Sequence, residues 1–328
     1  MTVSDAAQEI GPEIEAARVS DPDAFGRVIE PYRRELLVHA YRMLGSLEDA
    51  EDAVQDALVR SWSGRATFQR AISFRAWLYR ITTNACLDAI AKRRLRSGAA
   101  SLGVGPIPDG LIGDQAAGPE ARYDLRESIS LAFLTALQVL PPRQRAALLL
   151  RDVLGMRAAE VAALLDVSVP AVNGALLRAR STIASRYGPA RASTSIVPVV
   201  ADAPGPIRAL LERYVRAWEA ADVGGIVALL REDAALRMPP LPAAIGAAAI
   251  GEFLSTNIFL PGARARLTPI FANGRPAFIA SRSLGADGPP RPIGVLVVGI
   301  DESLISRIDA FVDPRVLAVF AAAASSAG

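Results

Sequence analysis

One stretch of the chain decides the fold of its middle part: residues 156–183 read MRAAEVAALLDVSVPAVNGALLRARSTI. Its first part has apolar residues at helical spacing, and residues 166–168 then predict a tight turn. Pro170 is typical of the first turn of a second helix. The positions expected to face inward are Ala159, Val161, Ala162 and Leu165 in the first helix and Val172, Leu176 and Ala179 in the second. A helix, a three-residue turn and a helix have the spacing of a helix-turn-helix motif.

In that motif, the second helix enters the major groove of DNA. Ser168 and Asn173 would then lie near base edges, with Arg178 and Arg180 near phosphates. Asn173 is suited to reading adenine through two hydrogen bonds. A second interpretation stays open, because any short helical hairpin could show the same spacing.

An earlier helix carries an acidic face. Ser46 precedes it, and Asp49 can close a capping box there. Its apolar stripe consists of Leu47, Ala50, Val54, Leu58 and Trp62. The opposite side, called the acidic face below, consists of Glu48, Asp52, Gln55, Asp56 and Val59. Short acidic and amide groups suit pairing with a partner's arginines, although a solvated helix face would have the same composition.

A basic helix follows the loop of residues 63–73. Phe74, Trp77, Leu78 and Ile81 are expected to point inward, and residues 92–96 form the cluster KRRLR. Aromatic residues beside arginines can stack on unpaired bases while the cations hold phosphates. Taken singly, Phe74 and Trp77 are better interpreted as core residues. The adjacent acidic and basic surfaces favour two different partners, one of them a polyanion.

The composition excludes several kinds of chemistry. Among 328 residues the chain has one histidine, His39, one cysteine, Cys86, and one lysine, Lys92. These cannot supply a disulfide, a zinc finger or a CxxC redox pair. No GxxxxGK precedes Lys92, so a P-loop is excluded as well. His39 lies in a predicted helix among apolar residues and is interpreted as a packed or surface histidine, so we expect no metal, cofactor or catalytic residue.

The N-terminal sequence lacks the basic and apolar regions of a signal peptide, and no apolar run reaches the length of a membrane span. We therefore expect a soluble, cytoplasmic protein without membrane contact. Two stretches rich in Gly, Pro and Ala predict linkers at residues 97–120 and 189–204. They divide the chain into domains at residues 1–96, 121–188 and 205–328.

The third domain has a different pattern. Residues 207–218 form a strongly amphipathic helix, and Asp222 can cap the next one. Asn273-Gly274 is a strong hairpin signal between two predicted strands, and residues 292–300 and 304–311 predict a second hairpin. Helices followed by a curved antiparallel sheet indicate an α+β cone. The predicted fold class is thus multidomain, with two all-α domains followed by this cone.

The order of the helical signals resembles one family. The segments ELLVHAYRMLGSLEDAEDAVQDALVRSW (35–62), FRAWLYRITTNACLDAIAKRRLR (74–96) and LPPRQRAALLLRDVLGMRAAEVAALLDVSVPAVNGALLRARSTI (140–183) are similar to the extracytoplasmic-function sigma factors of bacterial RNA polymerase. The resemblance spans roughly residues 21–187. It implies a region 2 domain, a helix-turn-helix region 4 domain, and a protein that binds and melts promoter DNA while the polymerase performs the chemistry.

The resemblance also implies roles for particular residues. Asp52, Gln55 and Asp56 match the helix that docks on the clamp of the largest catalytic subunit, and the polymerase flap is a further expected contact. The loop 63–73 matches the one that captures a flipped base of the minus-ten element. The residues implied to hold that element are Arg80, Asn84, Arg93 and Arg94. Those implied to contact the minus-thirty-five element are Ser168, Asn173, Arg178 and Arg180.

Residues from about 205 to 320 resemble the SnoaL-like, nuclear-transport-factor-2-like fold. A subgroup of these sigma factors carries such a domain, and the resemblance implies that it contacts the sigma domains and modulates their activity. The tryptophan-containing linker motif of that subgroup is absent, and residues 105–109 (GPIPD) occupy its place. Two other readings of this part of the chain are an enzyme using Asp222, Asp233 or Asp309, and a helix-turn-helix transcriptional regulator with a ligand-sensing or enzymatic cone.

Overall fold

The computed structural model describes residues 22–65, 68, 73–97, 104–112, 128–187, 205–284, 288–301 and 303–325. Contacts divide the chain into two units. The first comprises residues 1–104 and 132–188, and the second comprises residues 105–131 and 189–328. The first unit holds both helical modules, and the second holds the cone.

The first helical module consists of α1 (Pro22–Leu44), α2 (Leu47–Gly64) and α3 (Phe74–Ser97). The predicted start of α2 is confirmed, because the Ser46 hydroxyl accepts a hydrogen bond from the backbone N–H of Asp49 at 3.4 Å. Phe74 and Trp77 are buried and pack with Phe68 at ring-centroid distances of 5.3 to 5.6 Å. Their interpretation as core residues is confirmed.

His39 is a packed residue in the centre of this module. It is fully buried, and its Nε2 lies 2.9 Å from Thr83 Oγ1, which joins α1 to α3. Its ring also meets Tyr79 edge-on at 5.1 Å. Burial, assisted by the positive charge of Arg42, lowers the pKa of His39 to about 3. The imidazole is therefore neutral near pH 7, as a core residue should be.

The second helical module contains α4 (Leu131–Gln138), α5 (Pro142–Leu148), a π-helical turn (Leu149–Val153), α6 (Ala158–Leu165) and α7 (Val169–Tyr187). Asp166 ends α6 in the left-handed conformation, with a φ of 54°. Helices α6 and α7 are bent by 100° about this turn, within the range of a helix-turn-helix.

Arg145 joins the two helical modules. Its guanidinium is buried and donates to the Met43 carbonyl at the end of α1, and to the Gln138 and Leu140 carbonyls at 3.1 and 3.2 Å. Met43 and Gln138 lie at the C-terminal ends of α1 and α4, where backbone carbonyls lack a partner within the helix and favour a cation. Burial and the nearby Arg94 lower the pKa of Arg145 to about 10, so it stays charged. No local pattern in the sequence indicates this contact.

The second unit contains a short helix, α8 (Asp109–Ile112), ahead of the cone. The helices of the cone are α9 (Gly205–Glu219), α10 (Val223–Val227), α11 (Ala247–Asn257) and α12 (Pro314–Ser325). Its strands are β1 (Leu230–Arg237), β2 (Ala244–Ile245), β3 (Ala263–Ala272), β4 (Arg275–Leu284), β5 (Arg291–Asp301) and β6 (Leu304–Phe311).

The strands form one sheet in the order β2-β1-β6-β5-β4-β3. The β1–β6 pair is parallel and the other pairs are antiparallel. Asn273 and Gly274 have φ values of 56° and 69°, which a two-residue type I′ turn requires. Both predicted hairpins are confirmed. Helix α9 covers one face of the sheet, where Tyr214 packs 5.7 Å from Phe278 between ring centroids.

No single helix in the described ranges is long and apolar enough to cross a membrane; α6 and α7 pass such a test only as a bent pair, by length and composition.

Candidate polymerase and promoter interfaces

The acidic face lies on the solvent side of α2. Asp52, Gln55, Asp56 and Val59 are all exposed, and their spacing of three and four residues puts them on one helical stripe. Val59, at the C-terminal end of this stripe, is 65% exposed. Charged groups around an exposed apolar residue are typical of a protein-binding surface.

Ion pairs divide the acidic face into paired and unpaired groups. Arg60 contacts Asp56 at 2.6 Å and Asp88 of α3 at 2.7 Å. Asp52 makes no ion pair with any residue that the structure describes. Partial burial and the neighbouring carboxylates Asp52 and Glu48 raise the pKa of Glu51, which reflects the local concentration of negative charge. Asp52 is therefore the carboxylate on this face most available to a cationic partner.

Helix α3 presents two of the predicted minus-ten residues one turn apart. Arg80 and Asn84 are both exposed, and Arg94 is exposed near the end of the same helix. Arg93 differs from them, because it is half-buried and pairs with Asp49 of α2. Most of the predicted base-capture loop at 63–73 lies outside the described residues.

The four predicted minus-thirty-five residues fall into two groups, according to whether their side chains already make a contact in the structure. Asn173 and Arg178 are exposed on its surface, and Arg178 lies beside Gly174, which carries no side chain to block it. Ser168 caps the helix, since its hydroxyl accepts from the N–H of Ala171 at 3.3 Å. Arg180 forms two hydrogen bonds with Asp152, at 2.7 and 3.0 Å. Asn173 and Arg178 are thus presented to a ligand without first breaking a described contact.

The connector between α3 and α4, residues 98–130, includes part of the predicted linker. Residues 105–131 group with the cone, and Pro106, Ile107 and Pro108 are buried there. Apolar burial and paired backbone groups thus hold residues 105–112, which lie within the linker predicted at 97–120. The segment that occupies the place of the family's linker motif is held by the cone domain itself.

Asn273, in the turn between β3 and β4, holds the connector at two points. Its backbone N–H donates to the Ile107 carbonyl at 3.2 Å, and its Oδ1 accepts from the Ile107 N–H at 3.0 Å. Its Nδ2 donates to the Ile129 carbonyl at 2.7 Å. Asp109 adds a bond from the Gly274 N–H at 2.9 Å. The sequence predicted a turn at Asn273 but not its contact with the connector. The apolar residue Ile107, within a Gly- and Pro-rich stretch, was the feature of the sequence that could have indicated this contact.

The three carboxylates considered for an enzymatic cone have structural contacts. Asp222 caps α10 by accepting from the Gly225 N–H at 2.8 Å. Asp233 pairs with Arg231. Asp309 is partly buried and contacts Arg307 at 2.9 Å; desolvation raises the pKa of its carboxyl, and Arg307 opposes that shift. Within the described ranges, no group of three His, Cys, Asp or Glu side chains is arranged to hold a metal ion.

Three family models match successive parts of the chain. They are Sigma-70 region 2 at residues 28–96, Sigma-70 region 4 at residues 130–183, and a SnoaL-like domain at residues 211–302. The first two cover the two helical modules and the third covers most of the cone. The matches to both sigma regions support the reading as a sigma factor over that of a regulator with a helix-turn-helix alone.

Relatives agree with this class along most of the chain. The ECF RNA polymerase sigma factor SigG of Mycobacterium tuberculosis is 39% identical over 317 residues, covering 90% of this chain and 83% of that protein. The RNA polymerase sigma factor CnrH of Cupriavidus metallidurans is 34% identical over 166 residues, covering 49% of this chain and 85% of CnrH. The chain belongs to the extracytoplasmic-function (ECF) RNA polymerase sigma factors.

A solved structure shares the fold. The crystal structure of the extracytoplasmic function sigma factor SigJ of M. tuberculosis matches with a TM-score of 0.58 at 21% identity. The match covers 89% of this chain and 97% of SigJ. The fold of most of this chain is therefore found in an experimental structure as well.

Proposed function

We propose that this ECF sigma factor uses α2 to bind core polymerase, α3 to hold the opened minus-ten element and α7 to read the minus-thirty-five element. We further propose that the cone regulates these contacts by holding the connector. Polymerase acts inside the bacterial cell, so the proposed function implies a cytoplasmic protein.

The polymerase contact is proposed at Asp52, Gln55 and Asp56, with Val59 beside them. Asp52 and Gln55 are exposed without an ion pair in the described structure, and Asp56 would exchange Arg60 for a partner's cation. A clamp surface rich in arginine would match these groups through charge-assisted hydrogen bonds. The apolar contact at Val59 would add buried area that does not depend on salt.

The minus-ten contact is proposed at Arg80, Asn84, Arg93 and Arg94. Flipping a base out of the duplex costs a few kcal/mol, and a polar side chain with flanking cations offsets that cost. Arg80 and Asn84 are exposed on adjacent turns, which suits one base and its neighbouring phosphate. Arg93 contributes only if it leaves Asp49, so its contribution should be smaller than that of Arg94.

The minus-thirty-five contact is proposed at Ser168, Asn173, Arg178 and Arg180. Asn173 is the residue able to distinguish bases, because its amide can pair with adenine in the major groove. Arg178 and Arg180 would hold phosphates, with Arg180 released from Asp152. Ser168 orients the first turn of α7, where backbone N–H groups favour a phosphate.

The regulatory role is proposed from the reach of the connector, which is the greatest distance that it can span between the two helical modules. A free chain from Ser97 to Leu131 can extend to about 110 Å at about 3.3 Å per residue. When Asn273 holds both Ile107 and Ile129, those two residues lie within about 8 Å of each other, and the reach falls to about 50 Å. The minus-ten and minus-thirty-five elements are separated by about 85 Å at about 3.4 Å per base pair.

The docked connector would therefore restrict how far the two helical modules can separate on a promoter, and it would favour the state in which Arg145 joins them. Release of the connector would give the modules the full reach. The cone would thus lower activity until the connector is released.

The observation that carries the proposal is that Asp52, Asn84 and Asn173 are exposed on three helices of one unit. The amide side chains of Asn84 and Asn173 make no contribution to the apolar core. The test is transcription by purified core polymerase with this chain added. We expect promoter-specific initiation that Asp52→Ala and Asn173→Ala both reduce. Initiation that neither substitution affects would contradict the assigned contacts.

A further inference from the structure

Leu177 of α7 is a large apolar side chain that the core of its module does not use. Val172, Leu176 and Ala179 of the same helix are buried, as predicted. Leu177 is 72% exposed. Single exposed apolar residues are common on protein surfaces, so exposure alone assigns no role. The residues around Leu177 on α7 indicate one.

Leu177 lies on the surface of α7 that carries the proposed DNA contacts. Asn173 precedes it by four residues and is exposed on the same side of the helix. Arg178 follows it directly and is also exposed. The sequence of α7, residues 169–187, contains three arginines and no Asp or Glu. A surface with this charge favours a polyanion, and DNA is the polyanion that the proposed function supplies.

Base edges in the major groove offer an apolar side chain one favourable contact. All four bases present hydrogen-bond donors or acceptors there, and thymine adds a C5-methyl group. Leucine has no donor or acceptor of its own, so packing it against a polar base edge would leave that edge without water or a partner. Packing it against the thymine methyl group removes apolar surface on both sides from water. Leu177 therefore favours an A·T pair through its methyl group.

The geometry of the helix limits the distance between the two base contacts. Four residues of an α-helix rise by about 6 Å, whereas base pairs are stacked about 3.4 Å apart. When Asn173 pairs with an adenine, Leu177 thus lies within about two base pairs of that adenine along the groove. The two side chains would read A·T pairs that are close neighbours.

We infer that Leu177 determines specificity for a thymine methyl group in the minus-thirty-five element, within about two base pairs of the adenine that Asn173 reads. The inference rests on the proposed function, because it requires α7 to enter the major groove. It adds to that function the chemical group that is recognised and the place at which it lies.

Selection of binding sites tests this contact. Core polymerase with the full chain selects sites from a DNA library whose minus-thirty-five region is randomised. The same selection is made with Asn173→Ala, Leu177→Ala and the control Leu241→Ala, which changes a leucine of the cone that is 51% exposed. We expect Asn173→Ala to lose the preference for one adenine, and Leu177→Ala to lose the preference for an A·T pair within about two base pairs of it. Leu241→Ala should select the same sites as the unmodified chain.

Replacement of the selected thymine by uracil then removes only the methyl group. The affinity for the site should fall about 4-fold for the unmodified chain, because one buried methyl group is lost. It should fall by a similar factor for Leu177→Met, which retains an apolar side chain, and should not change for Leu177→Ala.

Two results would overturn the inference. One is an equal effect of uracil on the unmodified chain and on Leu177→Ala, and the other is a Leu177→Ala selection identical to that of the unmodified chain. Either would exclude the methyl contact and leave Leu177 to a protein partner. If Asn173→Ala still changes the selected sites in that case, the proposed function stands without the inference. If the unmodified chain selects no minus-thirty-five sequence at all, both fail.

Discussion

Replacing Asn273 by alanine should release the connector from the cone. The substitution removes the carboxamide that accepts from the Ile107 N–H and donates to the Ile129 carbonyl. Asn273 is 1% exposed, so neither of these backbone groups readily finds water in its place. Alanine also tolerates the left-handed conformation of residue 273 less well than asparagine does.

The size of this effect follows from the two groups left unpaired. Each buried unpaired group costs about 1–3 kcal/mol. Allowing for partial relaxation, we expect docking of the connector to weaken by about 2–4 kcal/mol, which corresponds to an increase of about 30- to 1,000-fold in the population of the released connector.

Amide hydrogen exchange measures the population of the released connector directly. Residues 105–109 contain two prolines, so Gly105, Ile107 and Asp109 are the amides that can exchange in this segment. The Ile107 N–H is bonded to Asn273 Oδ1, and its exchange should accelerate by about 30- to 1,000-fold in the variant. The control is Asn257→Ala, which removes an exposed amide that bonds to Phe253 at 2.9 Å within α11. It should leave Ile107 unchanged.

Asn273→Asp separates the two bonds. Its carboxylate retains an acceptor for the Ile107 N–H but has no donor for the Ile129 carbonyl, so Ile107 should keep more protection than in the alanine variant. If exchange at Ile107 is the same in Asn273→Ala and the unmodified chain, the carboxamide does not hold the connector, and the argument from the reach of the chain is refuted.

Three further predictions concern the helical modules. Asp52→Ala should weaken binding to core polymerase by about 10-fold or more in a titration, since a charge-assisted hydrogen bond contributes about 1.5–3 kcal/mol. The control variant Glu212→Ala, on the cone, should bind core polymerase as the unmodified chain does. Asn173→Ala should reduce discrimination at one base pair of the minus-thirty-five element by about 1–3 kcal/mol in competition binding, and a uniform loss across all sequences would show that it does not read bases. His39 has a folded pKa of about 3, below its ordinary 6.5, so the unfolded chain binds the extra proton below pH 6.5. The free energy of unfolding should fall by up to about 1.4 kcal/mol for each pH unit as the pH is lowered from about 6 to about 4. In urea unfolding, His39→Gln should lack this part of the pH dependence.

Local patterns in the sequence predicted the local structure. The apolar spacing around residues 166–168 located the helix-turn-helix, and Asn273-Gly274 located a hairpin, because in each case the deciding residues are near neighbours in the chain. The apolar residues beside His39 were consistent with a packed or a surface position, and the structure places it in the core. Such features depend on backbone conformation and on periodicity, which a single sequence displays.

Contacts between distant residues were not predictable in the same way. Arg93 and Arg180 looked like free cations until the structure placed Asp49 and Asp152 beside them. Arg145 carried no sign that it caps the end of α1, since the Met43 carbonyl is a backbone group present at every position. The composition of the connector indicated flexibility, whereas burial of a few apolar residues fixes part of it on the cone.

The central claim is that this chain binds core polymerase and that its docked connector limits promoter contact. The most direct measurement is promoter-specific transcription in vitro by core polymerase with the full chain, the Asn273→Ala variant, or a chain ending near Arg191. We predict promoter-specific transcripts in all three reactions, with more transcript per bound sigma factor from Asn273→Ala and from the shortened chain. Absence of any promoter-specific transcript, including from the shortened chain, would contradict the account.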